Sequence, residues 1–461
     1  MSEFQSQFTA RYATPEMRQV FSDYNYRLQM RLVWTALATA QNALGVVTND
    51  ELSDIKVNST NVDIEKSLVI EKQTGHDVVA ELNCFANQCK VGGGKLHLGA
   101  TSEDVIGNAQ VLQQKQALLV IETKLITVLN ELKRLMQSNS NTACMGYTHL
   151  QPAEPTTLGY RFAFYAQDLL CDYRRLQELK RSLRGKGFKG AVGTYASYLS
   201  ILQNPDDVLK MESSAMRELQ LEAFEVSNQV FPRKQDYDVL CLLAQVSQSV
   251  AKIAFDIRIL QSPFIGELSE PFGTKQVGSS AMPFKRNPVT CEKICSLARL
   301  VQSYPQVAAQ NSSVSLLERT LDDSANRRFL LADSFLGVDE ILRSTIKVLT
   351  GLQIDYKKID KNLSDYGVFS ATEILLVKLV EKGYNRQEAH ELIRSLCMQA
   401  WESMKNTGVN PLSQLILNEK EINSRLSDNE IREILQSAKT HTGLATQKTE
   451  KMITEIEHTV K

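Results

Sequence analysis

Between Val105 and Met136 the apolar residues Leu118, Ile121, Leu125, Val128, Leu132 and Leu135 recur at steps of three and four, in a segment with one glycine and no proline. That spacing lines one face of a helix. Read as a single helix, the segment is about 48 Å long at 1.5 Å per residue. The same period runs from Thr157 to Leu183, from Asp236 to Leu260, and from Pro288 into the Leu300s. Four long helices separated by polar, Gly-rich or Pro-rich breaks predict an elongated bundle, and the absence of strand–helix alternation argues against a Rossmann fold or a barrel.

Breaks at "VGGGKLHLGATSED" (91–104) and "TGLQIDYKKIDKNLSDYGVFSA" (350–371) divide the chain into three parts. The expectation is an all-α protein with three helical domains: 1–104, carrying His76 and His97; 105–355, a central long-helix bundle with the loop 273–290; and 356–461, helical again in shorter segments. There is no internal repeat and no low-complexity tract.

Composition narrows the class. Apolar residues make up 43% and charged residues 23% of the 461, and the formal net charge is -1. Without a basic surplus or a long run of one sign, no nucleic-acid or membrane-surface partner is expected. No apolar run approaches a spanning helix and the start has no signal-peptide core, so a soluble, cytoplasmic protein is expected. Eight cysteines form neither a dense framework nor a CxxC array, which points to reduced thiols and no metal.

Of six histidines, three sit in polar, Gly-rich or Pro-bearing surroundings: His76 in "TGHDVV", His97 in "KLHLGATSED" and His149 in "GYTHLQPAEP". Each alone reads as a capping or surface residue. Three together favour proton transfer, because imidazole titrates nearest neutrality. "VGGGK" is not a phosphate loop, since Lys95 is followed by Leu96 and no strand precedes it. Ser279 and Ser280 lack the GxSxG elbow of acyl-transfer hydrolases.

"GSSAMPFKRNP" (278–288) resembles the signature loop of the fumarase/aspartase superfamily, with Ser279, Met282, Pro283, Lys285, Asn287 and Pro288 at the expected spacing. "HLGATSEDV" and "GYTHLQPA" are similar to the superfamily's other active-site blocks, in the same order. "ARYATPEM", "TGHDVVAE" and "LERTLDDSANRR" resemble the adenylosuccinate lyase family within it, in its animal-type branch. The resemblance covers nearly the whole chain. It implies β-elimination of fumarate from adenylosuccinate and from SAICAR, without a cofactor, in a homotetramer whose central helices form the core and whose sites each draw on three subunits. Argininosuccinate lyase activity and a catalytically silent scaffold are the alternatives; "DDSANRR" speaks against the first, and intact Ser279, His149 and Lys285 against the second.

The same resemblance implies roles. Ser279 is the base, its oxyanion stabilised by the amides of Gly278 to Ala281 and by Lys285. His149 is the acid, oriented by Glu292, and His76 supports it. Substrate contacts fall on Arg11, Tyr12, Asp77, Thr101, Ser102, Thr148, Gln229 and Asn287, and further on Arg319, Ser324 and Arg328. His97 is either a substrate contact or a hydrogen-bonded structural residue. Two positions depart from the pattern: Phe284 stands where relatives carry His or Tyr, and Lys293 replaces an arginine, keeping the charge but losing the paired fork.

Overall fold

The structure, a computed structural model, describes residues 4–437 and 440–460. Helices α1 (Asp23–Asn42) and α2 (Asp77–Gln88) come before the four periodic segments, which run as α3 (Ser102–Asn139), α4 (Leu158–Ser182), α5 (Lys234–Leu260) and α6 (Val289–Ser313). α7 (Asp322–Thr350) and α8 (Tyr356–Glu381) follow, then shorter helices to the end. The fold is all-α. Among the described residues, strands occur only as three two-stranded pairs.

Periodicity located the helices because it is burial that they satisfy. Leu118, Ile121, Leu125, Val128, Leu132 and Leu135 of α3 are all buried, each contributing about 1.5–3 kcal/mol relative to exposure. α5 is apolar enough over 18 residues to pass for a membrane span by length and composition, but half of that window is buried within the protein. It is a core helix.

Two compact units are present: one of Met1–Leu125, Asp172–Val250 and Ser296–Arg343, the other of Ile126–Cys171, Ala251–Cys295 and Ser344–Lys461. Their boundaries fall within α3, α4, α5, α6 and α7. In the first, Trp34 and Phe85 pack with ring centroids 6.4 Å apart, both buried. In the second, the chain after Tyr356 has a hydrophobic core of its own, including Leu375, Leu379, Ile393, Leu412 and Ile431, beside which Trp401 stacks on Phe369 at 5.1 Å. The eight cysteines are free.

Candidate active site

A cavity of about 680 Å³ opens in the first unit, and four helix starts line it, that of α1 through Ser22 and Asp23. The helix Ile64–Thr74 ends at Gly75 in the left-handed region (φ 64), His76 then takes an extended conformation as N-cap, and Asp77 begins α2. Thr101 and Ser102 open α3, and Ser324 lies in the first turn of α7. All of these line the cavity, as do Gln229, Arg319 and Arg328. Helix starts present unpaired N–H groups and partial positive charge, so their convergence makes a site for anions.

The arginines are held by carboxylates. Arg328 Nη2 is 3.2 Å from Asp77 Oδ2, while Asp77 Oδ1 accepts the Val78 N–H at 2.9 Å and lies 3.6 Å from His76 Nδ1. Arg319 donates to Asp323 at 3.1 Å and to Glu103 at 3.2 Å. Each pairing fixes a guanidinium whose remaining N–H groups are open to a ligand.

Tyr26 and Arg327 are among the wall residues that the sequence reading did not name. Tyr26 lines the cavity, and burial, then the charge of Asp77, push its hydroxyl above the ordinary phenol range, keeping it a donor. Arg327 is buried and donates to Asp236 at 2.7 Å and to Gln110 at 2.9 Å. Burial opposes its charge, but Asp236, Glu103 and Asp323 together outweigh burial and raise its pKa. Its position in "DDSANRR", next to Arg328, was the available signal.

Three candidates in this unit lie outside the cavity wall. His97 Nδ1 accepts the Trp34 indole N–H at 2.9 Å, the rings edge to face at 6.1 Å, and burial holds the imidazole below its ordinary value. This contact is of the kind that the structural, hydrogen-bonded alternative calls for. Arg11 is exposed and Tyr12 half-buried. The chain immediately after them is pinned: Ala13 N–H donates to Glu340 at 3.1 Å, Thr14 N–H to Asp339 at 2.6 Å, and Ala13 has φ 64.

The second unit carries the other candidates. Strands β1 (Ala143–Thr148) and β2 (Gln151–Thr157) form an antiparallel hairpin in which Thr148 pairs with Gln151. The two residues between them, His149 and Leu150, have φ 53 and 60. A two-residue type I′ turn needs positive φ at both positions, a conformation that costs a non-glycine residue about 1–2 kcal/mol. Thr148 and His149 are exposed at this tip, and Leu150 is 65% exposed. Non-glycine residues held in a left-handed turn mark a place where local stability is given up for something else.

The loop before α6 has its own scaffold. Gln261 clasps both ends, accepting the Glu270 N–H at 3.0 Å and donating to the Arg286 carbonyl at 3.0 Å. Asn287 donates to the Gly278 carbonyl at 3.0 Å. A Cβ at position 278 would stand 2.1 Å from the Lys285 carbonyl oxygen, so only glycine fits. Buried Glu270 then caps α6, accepting from the N–H groups of Thr290 (3.0 Å) and Cys291 (2.9 Å). Ser279 is half-buried, and its Oγ accepts the Met282 N–H at 3.1 Å. This donor lies one residue beyond the expected Gly278 to Ala281 amides, because the chain turns back on the serine at 282. Lys285 is exposed, Lys293 half-buried, and Glu292 pairs with Arg258 at 4.0 Å, with no contact to His149 within the chain. Among the described residues no His, Cys, Asp and Glu cluster could hold a metal ion.

The lyase family model matches residues 9–303, and the adenylosuccinate lyase C-terminus model matches residues 369–452. The chain is similar to the adenylosuccinate lyase of Saccharomyces cerevisiae, 38% identical over 87% of this chain and 84% of that one. It is similar to that of Schistosoma mansoni at 36% (90% and 88%) and to that of Pyrococcus abyssi at 37% (91% of each). Among solved structures, a fumarate lyase from Mesorhizobium sp. BNC1 shares the fold at TM-score 0.85 and 24% identity, over 98% of this chain and 99% of that one. The 3-carboxy-cis,cis-muconate lactonizing enzyme from Pseudomonas putida superposes at TM-score 0.87 and 25% identity, over 99% and 100%.

Proposed function

The chain belongs to the adenylosuccinate lyase family, and on that premise we propose which of its residues carry the reaction. The enzyme is a carbon–nitrogen lyase of purine nucleotide biosynthesis. It eliminates fumarate from adenylosuccinate to leave AMP, and from SAICAR to leave AICAR. Both substrates carry a phosphate and two carboxylates. The observation that best supports our reading is the convergence of four helix starts with Arg319 and Arg328 on one cavity, which suits that charge.

Elimination removes a proton from Cβ and breaks the C–N bond at Cα, and the electron pair left on Cβ becomes the double bond of fumarate. In this reading Ser279 Oγ, as alkoxide, takes the Cβ proton. A neutral hydroxyl is too weak a base. The Met282 N–H at 3.1 Å and the positive charge of Lys285 in the same loop lower the cost of the alkoxide. His149, as imidazolium, delivers a proton to the departing nitrogen, and exchange with solvent then restores both groups. Glu292 serves His149 of another subunit. His76, with Thr101, Ser102, Gln229, Ser324, Arg319 and Arg328, binds the anionic groups, and Asp77 sits beside His76 and Arg328 and accepts from neutral N–H or O–H donors of the substrate. Arg11, Tyr12, Thr148, Asn287 and Lys293 complete the contacts, and His97 supports the wall from behind.

The site is assembled in a homotetramer from three subunits. Exposed Leu150 beside His149, and Phe164, Phe255 and Phe264 at 57%, 52% and 92% exposure, support burial against other copies. We propose three domains with boundaries after 104 and 355: the second meets the start of α8, whose residues from Ala371 on belong to a separate hydrophobic core, and the first falls in the first turn of α3. A cytoplasmic location suits water-soluble nucleotide substrates.

The test is fumarate release from adenylosuccinate, SAICAR and argininosuccinate by the purified protein. We expect turnover of the first two and none of the third. Turnover of argininosuccinate alone would overturn the reading.

A further inference from the structure

We propose that Glu103, Asp323 and Arg233 are positioning residues for the reaction: with Arg319 they close a ring of ion pairs that holds the Arg319 guanidinium in one orientation toward the anionic substrate. The inference rests on the reading of Arg319 as a substrate contact.

The ring can be followed atom by atom. Arg319 Nη2 meets Glu103 Oε1 at 3.2 Å, and Glu103 Oε2 lies 3.7 Å from Arg233 Nη2. Arg233 Nε donates to Asp323 Oδ2 at 2.8 Å, and Asp323 Oδ1 returns to Arg319 Nη1 at 3.1 Å. Glu103 lies in the first turn of α3, Asp323 in the first turn of α7, and Arg233 directly precedes α5. Two of the helix starts that line the cavity are thus tied together through one neutral ring. Below it, Phe231 lies under the Arg233 guanidinium at 4.8 Å, and Phe224 stacks on Phe231 at 6.3 Å.

Arg319 is the member that needs holding. It sits in the connection between α6 and α7, where Leu317 has φ 46 and Val314, Leu316, Leu317 and Leu321 are exposed. Its side chain keeps 18% exposure against 2% for Arg233, so it is the ring's outer face. The two Nη atoms each give one hydrogen to a carboxylate, which leaves Nε–H and two further N–H groups for a ligand. A long side chain loses rotamer freedom when it binds, and a side chain already fixed in the folded state does not lose it again.

Stability is a poor explanation for such a ring. Buried ion pairs often contribute no more than well-packed apolar residues of the same volume. Nor does the ring supply attraction, since two guanidiniums and two carboxylates cancel. The two effects have opposite signs in Glu103→Gln. If charge alone mattered, removing a carboxylate from an anion site would lower KM. If Glu103 orients Arg319, the same change raises KM.

The experiment measures kcat and KM for adenylosuccinate in Glu103→Gln, Arg319→Lys and the double variant, each checked by thermal melting. The expected result is a KM increase of about tenfold in Glu103→Gln with kcat nearly retained, and little further increase when Glu103→Gln is added to Arg319→Lys. Unchanged or lower KM in Glu103→Gln would overturn the proposal, as would the same fold increase in both backgrounds. Unchanged KM in Arg319→Lys alone would instead remove the premise that Arg319 contacts substrate. Should Glu103→Gln fail to fold, Asp323→Asn tests the other arm of the ring by the same cycle.

Discussion

Ser279 Oγ accepts a hydrogen bond from the Met282 N–H at 3.1 Å, a contact made entirely inside the loop that precedes α6. A donor aimed at an oxygen strengthens as negative charge develops there, so this amide acts more on the alkoxide than on the hydroxyl.

Replacing the Met282 amide nitrogen by an ester oxygen removes the donor and leaves every side chain in place. The expected outcome is a fall in kcat of about 10²-fold with KM nearly unchanged, measured by steady-state fumarate release. An equal loss in KM would place the contact in substrate binding.

The long helices were legible because burial along one face writes itself into spacing; α3, α4 and α5 begin and end within about three residues of the periodic segments. The capping reading of His76 was legible for a related reason, since helix ends use few residue types, and the structure makes it the N-cap of α2. The ring of Glu103, Arg233, Arg319 and Asp323 was not. Charged residues at helix starts read as caps or solvated positions, and the partners lie up to 216 residues apart, as Arg319 and Glu103 do. For His97 the sequence left two roles open for the same reason: nothing local to "KLHLG" announces Trp34. For Glu292 the sequence supplied proximity to the loop, and the fold supplied Arg258 as its neighbour.

His97 gives a pH prediction. Burial holds its pKa below the ordinary 6.5, with the nearby charge of Asp104 opposing in part. The unfolded chain therefore binds a proton first as pH falls. Stability from the neutral Trp34–His97 pair is fully present above the ordinary value and is lost as pH drops through the lower, folded one. In His97→Asn, which tolerates the positive φ and keeps an acceptor, the drop in Tm between about pH 7 and about pH 5 should be smaller than in the parent. An equal drop would assign the pH dependence to other groups.

Subunit sharing predicts complementation. The His149→Gln and Ser279→Ala proteins, each expected to be inactive, are dissociated, mixed in equal amounts and reassembled. If the two residues of one site come from different chains, about a quarter of the sites regain both native residues, since each has an even chance of arriving intact. Recovery of about a quarter of parental activity is expected. Persistent inactivity of mixed tetramers would put both residues of a site on one chain.

The central claim is that Ser279 takes the Cβ proton. Its most direct measurement is the single-turnover rate of fumarate formation from adenylosuccinate bound to Ser279→Ala, with binding followed separately. The account predicts retained binding and a rate lower by at least about 10³-fold. A rate within about tenfold of the parent would contradict it and assign the proton to another group.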